Sequence, residues 1–401
     1  MTVGTVGSAD HVRALERCRA ALVAAFLITG IGMSTWITRT PAIRDTMELS
    51  NAEMGLLLAA IAVGSVAGIA LGNPFLAFRG ARFVVGCGML SMSTGVALIG
   101  LGTALQSGPM AAMGLALFGC GMAFGEIGQN VEAVGLEAAM GRSMVPGLQG
   151  CYSFGVFGGG LAGVLANSLE IPVVTHLAGA GLVVLGVSGW LIVRLPAATG
   201  TARTPRRGPA GGGSTRGGSP WIDRRLLVLG VIALVMALSE GAANDWLPLI
   251  VVDGFGHTAA TGSLIYAFFG LAVAIGRFCG GPAIDRFGRV QVIRVSVLTA
   301  ASGIALVAFA ADLLLGGIGV VLWGLGTSLG FPIALSAAGD HPTHAARRVG
   351  LVVAVGYAGF LIGPPLLGFL AEHAGLRAAI LIVLLAVVAA LFFSRSVQKA
   401  G

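Results

Sequence analysis

Residues 195–222 read LPAATGTARTPRRGPAGGGSTRGGSPWI. The stretch holds no apolar run and is dense in Gly, Pro, Ser, Thr and Arg. It cannot bury enough surface to fold and is expected to be a flexible linker. The chain on either side is of another kind. Mostly apolar stretches precede it near 18–38, 54–77, 83–105, 109–135, 145–168 and 172–194, and others follow near 225–250, 261–284, 289–311, 313–338, 348–371 and 376–394. A bilayer core needs about 20 such residues per helical crossing. Hydrophobic residues make up 56% of the chain and charged ones 10%, which no water-soluble fold could conceal. In hydrocarbon every backbone polar group must find its partner within the segment, so only helices or a closed barrel can cross. The runs are too continuous for the alternation of barrel strands. The expected fold is an all-α membrane protein with twelve transmembrane helices in two pseudo-symmetric six-helix bundles, 1–194 and 223–401, joined by the linker 195–222.

The net charge of +7 raises the question of a nucleic-acid partner, and its distribution answers against one. With an even number of spans, nearly all Lys and Arg fall on the linker side, and only Arg39, Arg44 and Arg377 on the other. Arg277 and Arg294 lie just within the linker-side helix ends. That asymmetry is the positive-inside pattern, so both termini and the linker are expected in the cytoplasm. Met1 to Asp10 is polar and no small-residue cleavage site follows the first apolar run, so that run reads as a retained helix and not a signal peptide. Cys18, Cys87, Cys120, Cys151 and Cys279 are scattered over different spans without metal-ligand spacing and read as small packing residues.

Weak internal similarity points to a duplication. Asn73–Arg82 reads NPFLAFRGAR and Gly281–Val290 reads GPAIDRFGRV, with Gly80 and Gly288 separated by 208 positions; Trp36 and Trp246 are separated by 210. Parallel repeats of this kind place a substrate site near the bilayer midplane, where the repeats meet. The segment Gly281-x-x-x-Asp285-Arg286-x-Gly288-Arg289 resembles the signature loop between the second and third helices of each half in the major facilitator superfamily. WITRTPAIR at 36–44, LSNAEMG at 49–55, EGAANDW at 240–246 and GYAGFLIGPP at 356–365 are similar to the sugar-permease branch that includes the fucose permeases and other bacterial inner-membrane proteins. The resemblance implies a monomeric transporter of the bacterial cytoplasmic membrane that works by alternating access, with a small-molecule substrate, protons and the lipid bilayer as its partners. It also implies a gating role for Asp285, Arg286 and Arg289; a topology anchor and turn is the plainer reading. The first-half loop has Ala77 and Ala81 where the second has Asp285 and Arg289, so such a latch would be lopsided.

Ionisable groups inside spans cost at least roughly 2.5–3.5 kcal/mol on insertion scales, so each needs a reason. Glu126, Gln129 and Asn130 share one face of the fourth span, being three and four residues apart. Glu126 is the first candidate for proton coupling, against a purely structural carboxyl, and Glu132 is its rival. Glu137 beside Arg142 reads as an interfacial ion pair. In the seventh span Glu240 and Asn244 are again four apart, and Asp245 follows. Glu240 is the second proton-coupling candidate, because the acid that sugar permeases carry in their first helix is missing between Cys18 and Arg44. Trp36, Arg39, Gln129, Asn130, Asn244, Asp245, Trp246, Tyr266 and Tyr357 are the candidate substrate-binding residues. Trp36 and Trp246 also suit an interfacial belt, Arg39 also suits a snorkelling end or a partner for Asp245, and single aromatics are more often packing. Gly155, Gly159 and Gly163 recur every four residues as in close helix packing.

No G-x-x-x-x-G-K-[ST] motif occurs, so ATP-driven transport has no engine in this chain, and no cofactor or metal is expected. His11, His176, His257, His341, His344 and His373 lie at loops and span ends and assemble no catalytic set, so the chain is not expected to be an enzyme. The leading expectation is proton-coupled symport of a small polar solute, a sugar or sugar-like compound. A proton-coupled antiporter exporting drugs or metabolites is the alternative. Antiporters of this superfamily carry a Gly-Pro element in the fifth span; here that span has none, and Gly363-Pro364 lies in the eleventh. A non-transporting membrane sensor would share the same sequence features.

Overall fold

The computed structural model describes residues 6–141, 144–196, 199, 223–341 and 344–398. Most of the linker, with Arg142 and Lys399, lies outside the described residues, and among those described there is no strand. The first half contributes α1 (Val6–Ile37), α2 (Thr40–Thr46), α3 (Asn51–Arg79), α4 (Ala81–Ala104), α5 (Gly108–Met140), α6 (Val145–Ser168) and α7 (Val173–Ile192). The second contributes α8 (Arg224–Leu249), α9 (Ala259–Phe309), α10 (Leu313–Thr327), α11 (Gly330–Ala338), α12 (Ala345–Ala374), α13 (Leu376–Ala379) and α14 (Leu381–Phe392). Ten of the described segments are long and apolar enough to cross a membrane. The run read as one span at 313–338 is interrupted between α10 and α11, at Ser328 and Leu329.

Helix α9 is 51 residues long, roughly 75 Å at 1.5 Å per residue, far more than a single bilayer crossing requires. It is broken at Gly288, whose φ of 76° and ψ of 157° lie outside the helical region. Gly80 separates α3 from α4 with nearly the same angles, φ 83° and ψ 170°. A side chain would be strained there, and Gly is the residue that adopts positive φ without penalty. The two glycines aligned by the sequence repeat thus share one backbone solution.

The chain divides into two compact units. Unit 1 comprises the described residues within Met1–Trp36, Ala60–Gly159 and Ile171–Pro205; unit 2 comprises those within Ile37–Ala59, Gly160–Glu170 and Arg206–Gly401. In unit 1, α4 and α5 approach through two glycine rows at seven-residue spacing, Gly88, Gly95 and Gly102 against Gly114, Gly121 and Gly128. A Cβ at Gly88 or Gly95 would lie 2.6 Å from backbone atoms of the facing helix. Unit 2 repeats the device, with Gly303 of α9 against Gly319 of α10, where a Cβ would come within 2.8 Å of the Gly303 carbonyl oxygen. In hydrocarbon, association relies on close backbone packing, which small residues permit. Gly159 packs in the same way on Ile31 and Ser34 of α1.

Helix starts in unit 2 are capped by side chains. Asp223, Thr258 and Asp312 accept the amides of Leu226, Thr261 and Leu315 and so open α8, α9 and α10. Asp223 also takes both Nη groups of Arg348, at 2.8 and 3.1 Å. That guanidinium holds the Asp223 carboxyl below the usual carboxylate range. In unit 1, Glu137 accepts the amides of Met144 and Val145 at the start of α6, so it serves as a cap there, while its expected partner Arg142 lies outside the described residues.

Candidate functional site

Helix α5 presents the polar face of unit 1. Gln129 is buried and donates its amide to Thr29 Oγ1 of α1 at 3.2 Å, while Asn130 accepts from Gln149 of α6 at 3.3 Å. The two neighbours therefore reach different helices, and half-buried Glu126 lies one turn before them. Glu132 is 2% exposed, and its Oε1 has no hydrogen-bond partner among the described residues. The same side chain is hydrogen-bonded to Thr199 of the linker, whose carbonyl accepts the Ala81 amide. Trp36, in the last turn of α1, is fully buried and edge-on to Phe118 at 6.2 Å.

Helix α8 presents the polar face of unit 2, and its two acids differ sharply. Glu240 accepts from Arg277 of α9 at 3.0 Å, both side chains being less than one fifth exposed. Asp245 is 6% exposed, and among the described residues its carboxylate meets no hydrogen-bond donor and no cation. Asn244, between them, accepts from the Tyr266 hydroxyl at 3.1 Å. Tyr266 stacks on Phe269 with centroids 6.4 Å apart, and Phe269 meets Trp323 edge-on. Trp323 donates to Ser239 at 2.9 Å. Trp246 is fully buried. The indole N–H groups of Trp246 and of its repeat mate Trp36 both lack an acceptor among the described residues. Such orphaned donors are costly unless a ligand or water satisfies them. Tyr357 is half-buried in α12 and contacts Phe360.

Unit 2 also holds a polar cluster built on residues from the first half. Arg39, 4% exposed, donates to Asn167 Oδ1 at 2.7 Å. Asn167 in turn donates to the Thr38 carbonyl at 3.1 Å and to Ser263 Oγ at 2.9 Å. Arg44 forks onto Asp253 through both Nη groups, and the Ala52 amide meets Glu372 at 3.3 Å. At the opposite end of the unit, Arg289 donates to Asp340 at 2.6 Å and to Ser336 at 2.8 Å. Asp285 and Arg286 of the signature loop are exposed, Arg286 lying over the Phe287 ring. The carboxylate held by Arg289 is thus Asp340, from outside the motif.

Arg277, Asn167, Asp253 and Asp340 are therefore partners that sequence reasoning did not single out. Arg277 gave the one available signal, a cation inside a span end.

A family model of the Major Facilitator Superfamily matches residues 22–342 and, in a second alignment, 229–400. An uncharacterized MFS-type transporter of Yersinia pestis is 29% identical over 360 residues, covering 88% of this chain and 89% of that protein. Among solved structures, the nucleoside transporter NupG superposes with a TM-score of 0.73 at 15% identity, covering 96% of this chain and 100% of that one. The fucose:proton symporter FucP of E. coli superposes with a TM-score of 0.63 at 17% identity, covering 95% and 98%. At such identities the likeness of the solved structures concerns the fold, and it agrees with the sugar-permease resemblance. Family and fold together point to transport and not to catalysis. This chain belongs to the Major Facilitator Superfamily and is a multi-pass membrane protein built as a secondary transporter.

Proposed function

We propose that this protein couples the import of a small polar solute, a sugar or sugar-like compound, to protons in the bacterial cytoplasmic membrane. One observation carries the reading: Asp245 is a carboxyl in a membrane-crossing helix, almost wholly buried, with no protein partner among the described residues. A buried charge without a partner is too costly to persist, so binding a proton or a ligand group is what remains for it. Glu240 is already paired with Arg277 at 3.0 Å. The second-half proton site therefore moves from Glu240 to Asp245, with Glu126 its counterpart in unit 1. Within unit 1 Gln129 and Asn130, and within unit 2 Asn244, carry neutral amides of the kind that hydroxyl-rich solutes take. The fucose:proton symporter among the fold neighbours supports the solute class.

Twelve crossings follow if α9 counts as two, divided at Gly288, and the short segment Leu376–Phe392 is the last. Both termini and the linker then lie in the cytoplasm, with halves 1–194 and 223–401. The Asn167–Ser263 and Arg44–Asp253 contacts, which join residues of the two halves, act as a seal at the far end, and Arg289–Asp340 braces the second half near the linker. Alternating access breaks and remakes that seal.

The test is proton flux into proteoliposomes holding an internal pH dye, challenged with sugars and then with amphiphilic drugs. Acidification on adding one sugar class supports symport. Silence with sugars, with alkalinisation of acid-loaded vesicles on adding a drug, replaces it with the antiporter.

A further inference from the structure

The linker end of unit 2 carries a cavity of about 530 Å³, of whose lining the transport reading uses only Arg289. Arg289, Arg294 and Arg395 line it, together with Gly288, Ile284 and Phe287. The three cations are not equally engaged. Arg289 is spent on Asp340 and Ser336. Arg294 gives its Nε to Ser394 Oγ at 3.0 Å, and its Nη groups meet no acceptor among the described residues. Arg395 is exposed and its guanidinium is likewise unengaged there. Counting Asp340 against Arg289, Arg294 and Arg395 are left without a carboxylate among the described residues.

The backbone adds to this. Gly288 breaks the helical ladder within the cavity wall, so a new helix begins at Arg289 with its positive dipole end at the same place. Phe287, 60% exposed, and Ile284 supply an apolar edge next to the cations. A basic pocket with an apolar lip, at the end of membrane-crossing helices, matches a phospholipid with an anionic headgroup. The linker is a poor occupant, because its charged residues are all arginines.

We infer that this cavity binds the headgroup phosphate of an anionic phospholipid, with Arg294 and Arg395 as its ligands and Phe287 against the first acyl carbons. The inference rests on the multi-pass membrane arrangement and is independent of which solute is carried.

The test uses the full-length protein, delipidated in detergent, titrated by native mass spectrometry with phosphatidylglycerol and with phosphatidylcholine of the same acyl chains. The site predicts a preference for phosphatidylglycerol that falls about fivefold for each arginine removed. Arg395→Glu is the primary variant, since the side chain is exposed and holds nothing in the fold, and Arg294→Gln is the second. Equal binding of the two lipids by the unaltered protein, or an undiminished preference in Arg395→Glu, overturns the inference. A thermal-shift arm with inorganic phosphate separates the sources: stabilisation by millimolar phosphate that Arg395→Glu abolishes, without lipid selectivity, identifies a soluble phosphate and also overturns it.

Discussion

Helix α5 of unit 1 and helix α8 of unit 2 both carry polar residues through the membrane, but they satisfy them differently. On α5 the amides of Gln129 and Asn130 are bonded to neutral partners on two neighbouring helices. On α8 the polar side chains include Glu240, tied to Arg277, and Asp245, five residues on, tied to nothing among the described residues. Two acids on one helix have thus been given opposite environments. A paired acid holds structure, and an unpaired buried acid is available to change state. The proposed division of roles, Glu240 for positioning and Asp245 for coupling, rests on that contrast.

The comparison can be broken at its strongest point first. Asp245→Asn is expected to abolish uphill solute accumulation, a loss of at least ~100-fold by analogy with removing a proton-transfer group, while counterflow exchange persists. Glu126→Gln should show the same pattern from unit 1. If either variant accumulates solute like the unaltered protein, that residue is not a coupling site.

Glu240→Gln should behave otherwise. It removes the carboxylate that Arg277 meets at 3.0 Å, and losing a hydrogen bond to a charged group costs about 1.5–3 kcal/mol. The expected readout is a drop in thermal stability in detergent, with proton-coupled accumulation retained. A stable Glu240→Gln protein that has lost coupling would reverse the roles of the two acids.

A smaller effect sharpens the α5 side. Gln129→Leu removes the bond to Thr29 and one candidate solute contact, and its apparent solute affinity should fall roughly tenfold, about 1.4 kcal/mol. Coupling stoichiometry should be unchanged, as measured by proton-to-solute ratio.

The smallest effect lies at the start of α8. Arg348 holds the Asp223 carboxyl below its ordinary range, so the pair contributes stability above the unfolded carboxylate value, about 3.9. That contribution is lost as pH falls through the lower folded value. Thermal melts between neutral and strongly acidic pH should therefore show a slightly steeper decline for the unaltered protein than for Asp223→Asn. Identical slopes would remove Asp223 from the account of stability.

Much of the fold was legible because hydrocarbon leaves few options. Apolar length marks a crossing regardless of tertiary context, and the 208-residue offset of Gly80 and Gly288 marked the duplication, though not the backbone break the two glycines share. The polar faces of α5 and α8 could be read from three- and four-residue spacing. What those faces touch could not. Arg277 lies 37 residues from Glu240, Asn167 lies 128 from Arg39, and Asp253 lies 209 from Arg44. Pairing over such distances is set by helix packing, which leaves no period in the sequence. Within the signature motif, likewise, Arg289 takes Asp340 from another helix end while Asp285 is exposed.

The central claim is that protonation of Asp245 links solute binding to the proton gradient. The most direct measurement compares, in the same proteoliposomes, gradient-driven accumulation and gradient-free counterflow of the solute that acidifies the vesicles, for the unaltered protein and for Asp245→Asn. The account predicts that the variant loses accumulation and keeps counterflow. Accumulation at the unaltered level in Asp245→Asn would contradict it.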